Sequence, residues 1–353
     1  MNATPPVQLS ETGSDDWLLG FEMARLEHYL SCTLSGIRPP LSIHAAPHGG
    51  AGTYVLSSPD SRYIMRRQAD ATPGSAQTLE REFRIVASLH QRRYPVPQPL
   101  LYCDHERPAG APFYIAAETH GRLFNEPTLP GRSPAERAAL YDATNAVLAQ
   151  LHTIEPHQLG VADLGNGRHY VADQIGQLSL RYRSAGLDEI PEMESLMRWL
   201  PRNLPAEPAP RLVHGNFHIG NVVFDPEQPR VIAVLDWRSA ALGDPIADAV
   251  SHFVAWILGE AEGNSTPLSA VDLTSFGIPS LEAYAATYAA RAGLRTLPSF
   301  ETYFAYSLFR AAVQRGLSGV RKGDGRVARS RAFERVKPIA VLAWAFARRA
   351  GAK

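Results

Sequence analysis

From Asp16 to about Ser35, Leu19, Met23, Leu26, Tyr29 and Leu30 recur near helical spacing, so the chain is predicted to open with an amphipathic helix packed on a first lobe. The period then changes. The stretch LSIHAAPHGGAGTYVLSSPDSRYIMRRQA alternates apolar, β-rich runs with turn residues, and it reads as strand, glycine turn, strand, the turn SSPDS and strand. From Gln77 to Leu89 the positions Leu79, Phe83, Val86 and Leu89 fall on one face and predict a helix; PQPLLYCD and APFYIAA read as two more strands. Five strands with one helix after the third make a small α+β lobe ending near Glu118 to Gly121.

Beyond that point the pattern is mainly helical. Ser133, Pro134 and Glu136 form the capping box of a helix whose buried stripe is Leu140, Thr144, Val147, Leu148 and Leu151. Helical spacing returns over residues 170–185, 192–201, 245–258, 279–292, 299–318 and 328–350, with strand-like NVVFD and RVIAVLDW between. The expected organisation is a disordered N-terminus over 1–15, a strand-rich lobe over 16–120 and a larger helical lobe over 121–353. Internal repeats and low-complexity tracts are absent from the sequence.

Composition narrows the classes. Hydrophobic residues at 45% and charged residues at 20% of 353 suit a soluble globular protein with a sizeable core and exclude a disordered chain. Thirty-five basic residues balance thirty-five acidic ones, so no global field draws the protein to nucleic acid or to an anionic membrane. Cys32 and Cys103 lack metal-ligand spacing and fit a reducing, cytoplasmic setting. The opening MNATPPVQLSETGSDD does not read as a signal peptide, and the longest apolar run, IAVLAWAFA, is too short to span a bilayer. Oligomeric state is not set by any of these features.

Phosphoryl transfer from ATP asks a protein mainly to position phosphates, metal and acceptor, and its parts come in a fixed order. HGGAGT, residues 48–53, lies between two strands, where Gly49, Gly50 and Gly52 let backbone N–H groups approach phosphate oxygens; a plain hairpin turn has the same composition. Arg66 ends the third strand where a phosphate-contacting cation is expected, and Glu82 on the following helix is its candidate partner, although a surface ion pair reads the same way. The more specific signal is HGNFHIGNVVFDPEQPRVIAVLDWRSAALGDPIAD. A hairpin with arms NVVF and VIAVLD and the turn-rich DPEQP between them is predicted to bring Asn221 and Asp236 together. An amide oxygen and a carboxylate are hard ligands suited to Mg²⁺ shared with ATP phosphates.

With those residues in view, the chain resembles the aminoglycoside phosphotransferase-like family, also called the phosphotransferase enzyme family, relatives of choline kinases and distantly of protein kinases. YIMRR, EREFRIVASL, APFYIA, LAQLHTIEP, LGVADLG, LVHGNFHIGNVVFDP and VIAVLDWRSAALGDPIAD stand in that family's order along nearly the whole chain. The subgroup it is most similar to occurs as kinase-like domains beside acyl-CoA dehydrogenases or as stand-alone bacterial proteins. The resemblance implies an α+β, two-lobe protein-kinase-like fold with a five-stranded antiparallel N-lobe, and binding of ATP and Mg²⁺. It makes Arg66 the counterpart of the phosphate-binding lysine, Glu82 its partner, and Asn221 and Asp236 the metal ligands. His214 and Gly215 would shape the catalytic loop, and Asp244 and Asp248 would be structural, with Asp244 capping the helix begun by Pro245.

One departure matters most. Where the family carries a general-base aspartate after His-Gly, this chain has Asn216, which cannot take a proton from an acceptor hydroxyl. His218, two residues on, is the candidate substitute base. Ala117 replaces an acidic hinge residue, and the glycine loop is shorter than the family's. The expected function is phosphorylation of a hydroxyl on a small molecule, such as an antibiotic, a hydroxyacyl-CoA or another metabolite. The alternatives are a nucleotide-binding pseudokinase or scaffold, and an inactivated Asp-to-Asn variant of an active kinase. Aromatics from Phe253 to Phe309 read either as an apolar acceptor site or as core.

Overall fold

The structure is a computed structural model that describes residues 23–46, 50–68, 75–106, 108–160, 164–258, 268–318 and 325–353. The N-terminal segment over 1–15, the start of the first predicted helix, Gly49, Glu260 and Glu262 lie outside the described residues. The chain divides into two compact units, Met1–Phe83 with Pro99–Glu118, and Arg84–Gln98 with Thr119–Lys353.

In the first unit, α1 (Met23–Thr33) buries Leu26 and Leu30. The strands β1 (Ser42–Ala45), β2 (Thr53–Ser58), β3 (Ser61–Arg67), β4 (Pro99–Cys103) and β5 (Phe113–Ala117) form one antiparallel sheet in the order β1-β2-β3-β5-β4. Ile43, Leu56, Met65, Phe113 and Ile115 point to one face and close a core with Leu26 and Leu30, the period-two alternation of a half-buried sheet. The helix after the third strand is α2 (Ser75–Gln91).

Residues 84–98 cluster with the second unit, although they fall within the 16–120 span. The reason is packing. Ile85, Val86, Leu89, Tyr94 and Val96 belong to the second unit's core, with the Tyr94 ring edge-on to Trp237 and its hydroxyl donating to Val147 O at 3.2 Å.

The second unit is mainly helical: α3 (Pro134–Thr153), α4 (Tyr170–Ser184), α5 (Pro191–Trp199), α6 (Pro245–Phe253), the single turn α7 (Leu273–Phe276), α8 (Leu281–Arg291), α9 (Phe300–Gly316) and α10 (Arg326–Arg349). Ser133 caps α3 by accepting from the Glu136 N–H; the Glu136 carboxylate itself is taken by Arg122 at 2.5 Å and Arg132 at 3.6 Å. Two small antiparallel pairs carry the loops that matter. The strand β6 (Arg211–Val213) pairs with β9 (Ala241–Gly243), and β7 (Val222–Phe224) pairs with β8 (Val231–Val234). Helix α9 packs most of its circumference into the core, while Ser307, Arg310, Ala311, Gln314 and Arg315 follow one another at helical spacing along a face that lines a cavity.

No helix among the described residues is long and apolar enough to cross a membrane.

Candidate active site

The loop 214–221 runs from the end of β6 to the start of β7, and its backbone is fixed from below. Asp248, buried on α6, accepts the His214 N–H at 2.8 Å through Oδ2 and the Gly215 N–H at 2.9 Å through Oδ1. His152 Nε2 lies 3.2 Å from the same Oδ2, and its Nδ1 is 2.6 Å from the Tyr288 hydroxyl. Burial acts to raise the Asp248 carboxyl, but these hydrogen bonds and the neighbouring imidazoles outweigh it and hold the pKa down at about 2. Asp244 caps α6 through the Ile246 and Ala247 N–H groups and accepts from the Tyr303 hydroxyl at 2.6 Å. Gly215 sits at φ +76, and a Cβ there would lie 2.4 Å from Ser239 O, so the loop can pass only with glycine.

His214 is fully buried. Its Nδ1 accepts the Asn216 N–H at 3.1 Å and its Nε2 donates to Leu235 O at 2.8 Å, which fixes the neutral tautomer; burial of the ring is the main cause of its lowered pKa. The imidazole is thus a spacer between the loop and the strand end that carries Asp236.

The hairpin of β7 and β8 sets Val222 opposite Val234, and the Leu235 N–H donates to Asn221 O at 2.8 Å. Asp236 follows in the left-handed region at φ 64, which turns its carboxylate back toward the loop. There the Asn216 amide nitrogen donates to Asp236 Oδ2 at 3.0 Å, Arg238 Nε donates to Oδ1 at 2.5 Å, and the Asn221 amide nitrogen donates to Asn216 O at 3.0 Å. Burial acts to raise the Asp236 carboxyl, yet Arg238 and the Asn216 amide overcome it, so its pKa falls below the ordinary carboxylate value.

His218 meets the Gly220 N–H at Nδ1 (3.2 Å), while its Nε2 lies 3.0 Å from the Asn221 side-chain nitrogen. Burial above all pushes its pKa down to about 4, so the ring is neutral and weakly basic at pH 7.

Asn216, Asn221 and Asp236 therefore come together in the second unit, with His214 beneath them and His218 beside them. With its nitrogen committed to Asn216 O, Asn221 leaves its amide oxygen as a donor to a cation, and Asp236 supplies an ionised carboxylate. That pair fits Mg²⁺, which takes one or two protein oxygens and completes its shell with water and phosphate oxygens. Among the described residues, no cluster of three or more His, Cys, Asp or Glu offers a site of another kind.

The remaining sequence-predicted residues lie in the first unit. Arg66 and Glu82 are both buried and pair at 3.3 Å, while Tyr114 donates to the other Glu82 oxygen at 2.9 Å. Arg66 also donates to Thr53 Oγ1 at 2.5 Å and to Ala51 O at 3.3 Å, tying it to the glycine turn in which Gly50 and Gly52 have positive φ.

Beside Asn216 opens a cavity of about 390 Å³ between the loop, α6 and α9, lined by Asn216, Phe217, His218, Ser251, Ser307, Arg310, Gln314, Arg315 and others. Arg310 reaches from α9 to Gly215 O and to Ser251 Oγ. The aromatics that the sequence leaves open between an apolar acceptor surface and core packing, Phe253, Trp256, Tyr284, Tyr288, Tyr303, Phe304, Tyr306 and Phe309, are core, each at most 4% exposed. Sequence reading missed Arg310 and Arg315; their only local sign was charge on an otherwise apolar helical stripe.

The fold, a five-stranded antiparallel N-lobe with a helical C-lobe, is kinase-like. Residues 42–301 match the phosphotransferase enzyme family, to which the chain belongs. It is 34% identical over 334 residues to acyl-CoA dehydrogenase family member 10 of Mus musculus, covering 92% of this chain and 31% of that protein. To acyl-CoA dehydrogenase family member 11 of Homo sapiens it is 35% identical over 305 residues, covering 83% of this chain and 38% of that one. The chain thus spans about a third of the length of these relatives. Among solved structures, a Ralstonia eutropha protein assigned as an aminoglycoside phosphotransferase superposes with a TM-score of 0.81 at 32% identity, covering 93% of this chain and 99% of that one. An aminoglycoside phosphotransferase in ternary complex with streptomycin and ATP shares the fold at a TM-score of 0.58 and 17% identity, covering 89% of this chain and 96% of that one.

Proposed function

We propose that this chain transfers the terminal phosphoryl group of ATP to a hydroxyl of a small molecule held in the cavity beside Asn216. The observation that carries the reading is the hydrogen-bonded set Asn216, Asp236 and Asn221, which leaves two oxygen donors for a cation at the edge of an acceptor-sized cavity. Family membership and the nucleotide in the streptomycin complex of a protein with the same fold support it.

Mg²⁺, when bound by Asn221 and Asp236, would neutralise phosphate charge. The chain's own residues do the positioning. Arg66, fixed by Glu82, would supply positive charge to a phosphate, and Gly50 and Gly52 would offer backbone N–H groups. Asn216, its nitrogen held by Asp236, accepts a hydrogen bond from the acceptor hydroxyl through its amide oxygen and aligns it with the γ-phosphorus. The new O–P bond forms as the bond to the ADP oxygen breaks. Asn216 cannot keep the proton, which leaves late to solvent, as a loose transition state allows.

The amide at 216 also favours a second reading, a protein that binds Mg²⁺-ATP without turnover. Mg²⁺-ATP consumption by this chain and by Asn216→Asp, across a panel of hydroxylated metabolites and antibiotics, tests both. Measurable turnover that rises about 10²-fold or more in the aspartate form is the expected result, from the usual contribution of a general base. Nucleotide binding with no turnover in either form would leave the binder.

A further inference from the structure

We infer that Thr53 and Tyr114 are positioning residues for the nucleotide: with Glu82 they form a cradle shaped for an arginine at 66, and through that arginine they set the charge offered to the triphosphate. The inference rests on the phosphotransferase reading and deepens it at the nucleotide end of the site.

The cradle lies wholly within the first unit. Thr53 on β2 is the register partner of Arg66 on β3, and Arg66 is the register partner of Tyr114 on β5, so the three stand in one row across neighbouring strands. Residues directly opposite one another in an antiparallel pair share a face of the sheet, and on this face Glu82 of α2 meets both Arg66 and Tyr114. All four residues are at most 8% exposed.

Each member holds a different part of the guanidinium or of its partner. Arg66 Nη1 donates to Thr53 Oγ1 at 2.5 Å and to Ala51 O at 3.3 Å, while Nη2 donates to Glu82 Oε2 at 3.3 Å. Tyr114 donates to Glu82 Oε1 at 2.9 Å, so the carboxylate is held at both oxygens and kept against Nη2. The Tyr114 ring is set in turn by Phe83, with 5.7 Å between the ring centroids. Burial first, and then the Glu82 charge, pushes the Tyr114 hydroxyl well above the usual phenol range, so it stays protonated and remains a donor.

Ala51 belongs to the turn in which Gly50 and Gly52 have positive φ, and the Arg67 N–H donates to Gly52 O at 2.8 Å. Arg66 therefore ties the glycine turn to α2, and the orientation of its guanidinium sets both the position of the charge and the shape of the turn. A planar fork meets acceptors on two sides at once. The ammonium of a lysine is a single point, and it cannot span Thr53 and Ala51 on one side and Glu82 on the other.

The test titrates the full chain, in Mg²⁺, with a non-hydrolysable ATP analogue by calorimetry. Tyr114→Phe, Thr53→Val and Arg66→Lys should each bind the analogue at least about fivefold more weakly, and Arg66→Met should bind it weakest. Thr53→Ser keeps the hydroxyl and should stay within about twofold of the unaltered chain. Because Thr53 and Tyr114 act through Arg66, neither Thr53→Val nor Tyr114→Phe should weaken binding further once Arg66→Met is in place. Residues that only support the fold would lower the melting temperature and leave the affinity unchanged. Unchanged affinity in Tyr114→Phe, Thr53→Val or Arg66→Met, full affinity in Arg66→Lys, or losses that add to that of Arg66→Met overturns the inference. If the unaltered chain does not bind the analogue, the phosphotransferase reading fails and takes this inference with it. Binding that is equally tight in the unaltered chain and in every variant leaves that reading standing and removes only this one.

Discussion

The side-chain nitrogen of Asn216 donates to Asp236 Oδ2 across 3.0 Å, so the residue in the general-base position is bound to a candidate metal ligand. An aspartate at 216 would place two carboxylates at that separation, and like charges so close destabilise each other unless a cation lies between them. Asn216→Asp is therefore expected to lower the melting temperature of the metal-free protein by several degrees and to regain it in millimolar Mg²⁺. Thermal unfolding with and without Mg²⁺ checks this; a variant indifferent to Mg²⁺ would count against a cation site at Asn221 and Asp236.

Arg66 and Glu82 are paired out of water, where removing one partner strands the other's charge. Glu82→Leu and Arg66→Met should each cost about 3–5 kcal/mol, and the double variant less than the sum of the two. Urea denaturation of the three variants measures this. Additive losses would mean that the pair is not coupled.

Much of this was legible beforehand because it is written in local periodicity. The stripe of α3, its Ser133 cap, and the strands on either side of the glycine turn all follow from residues within one or two turns of each other. The pairing of β6 with β9 did not, since three residues are too few to show alternation and Arg211 meets Gly243 only through a long excursion of the chain. Asp248 was read as structural, but not as the group that fixes the loop. Thirty-three residues separate it from Gly215, and no spacing rule reaches so far. The approach of Asn221 to Asp236 was legible because a hairpin is a local device that brings its two ends together.

Asp248 gives the loop an acid limit. Its folded pKa of about 2 lies below the ordinary carboxylate value of roughly 3.9, so its contribution is complete above about pH 4 and is lost as pH falls through 2. Asp248→Asn keeps only one good acceptor for two backbone N–H groups and should cost about 3 kcal/mol at pH 7. Denaturant unfolding at pH 7 reads the loss; a change below about 0.5 kcal/mol would mean that the loop is held by other groups.

His252 sets a second pH dependence in the opposite kind of group. Burial pushes its imidazole down to about 3, and its Nε2 meets the Tyr284 hydroxyl at 3.0 Å. The unfolded chain takes up this proton near pH 6.5, so stability from the neutral ring is whole above that value and shrinks as pH drops toward 3. His252→Gln preserves a partner for Tyr284 and removes the titration. Melting temperatures of the two proteins from pH 7 to 4 should show a shallower decline in the variant, and parallel curves would assign the decline elsewhere.

Helix α9 gives part of its circumference to the core and one face to the cavity. Mutations that redesign the wall at Ser307, Gln314, Arg315 and Ser318 thus need not disturb the aromatic packing at Tyr303, Phe304 and Phe309. A scaffold divided in this way can drift from one acceptor to another in single steps, each of them folded, which makes α9 the natural place to begin re-engineering this protein toward a chosen alcohol.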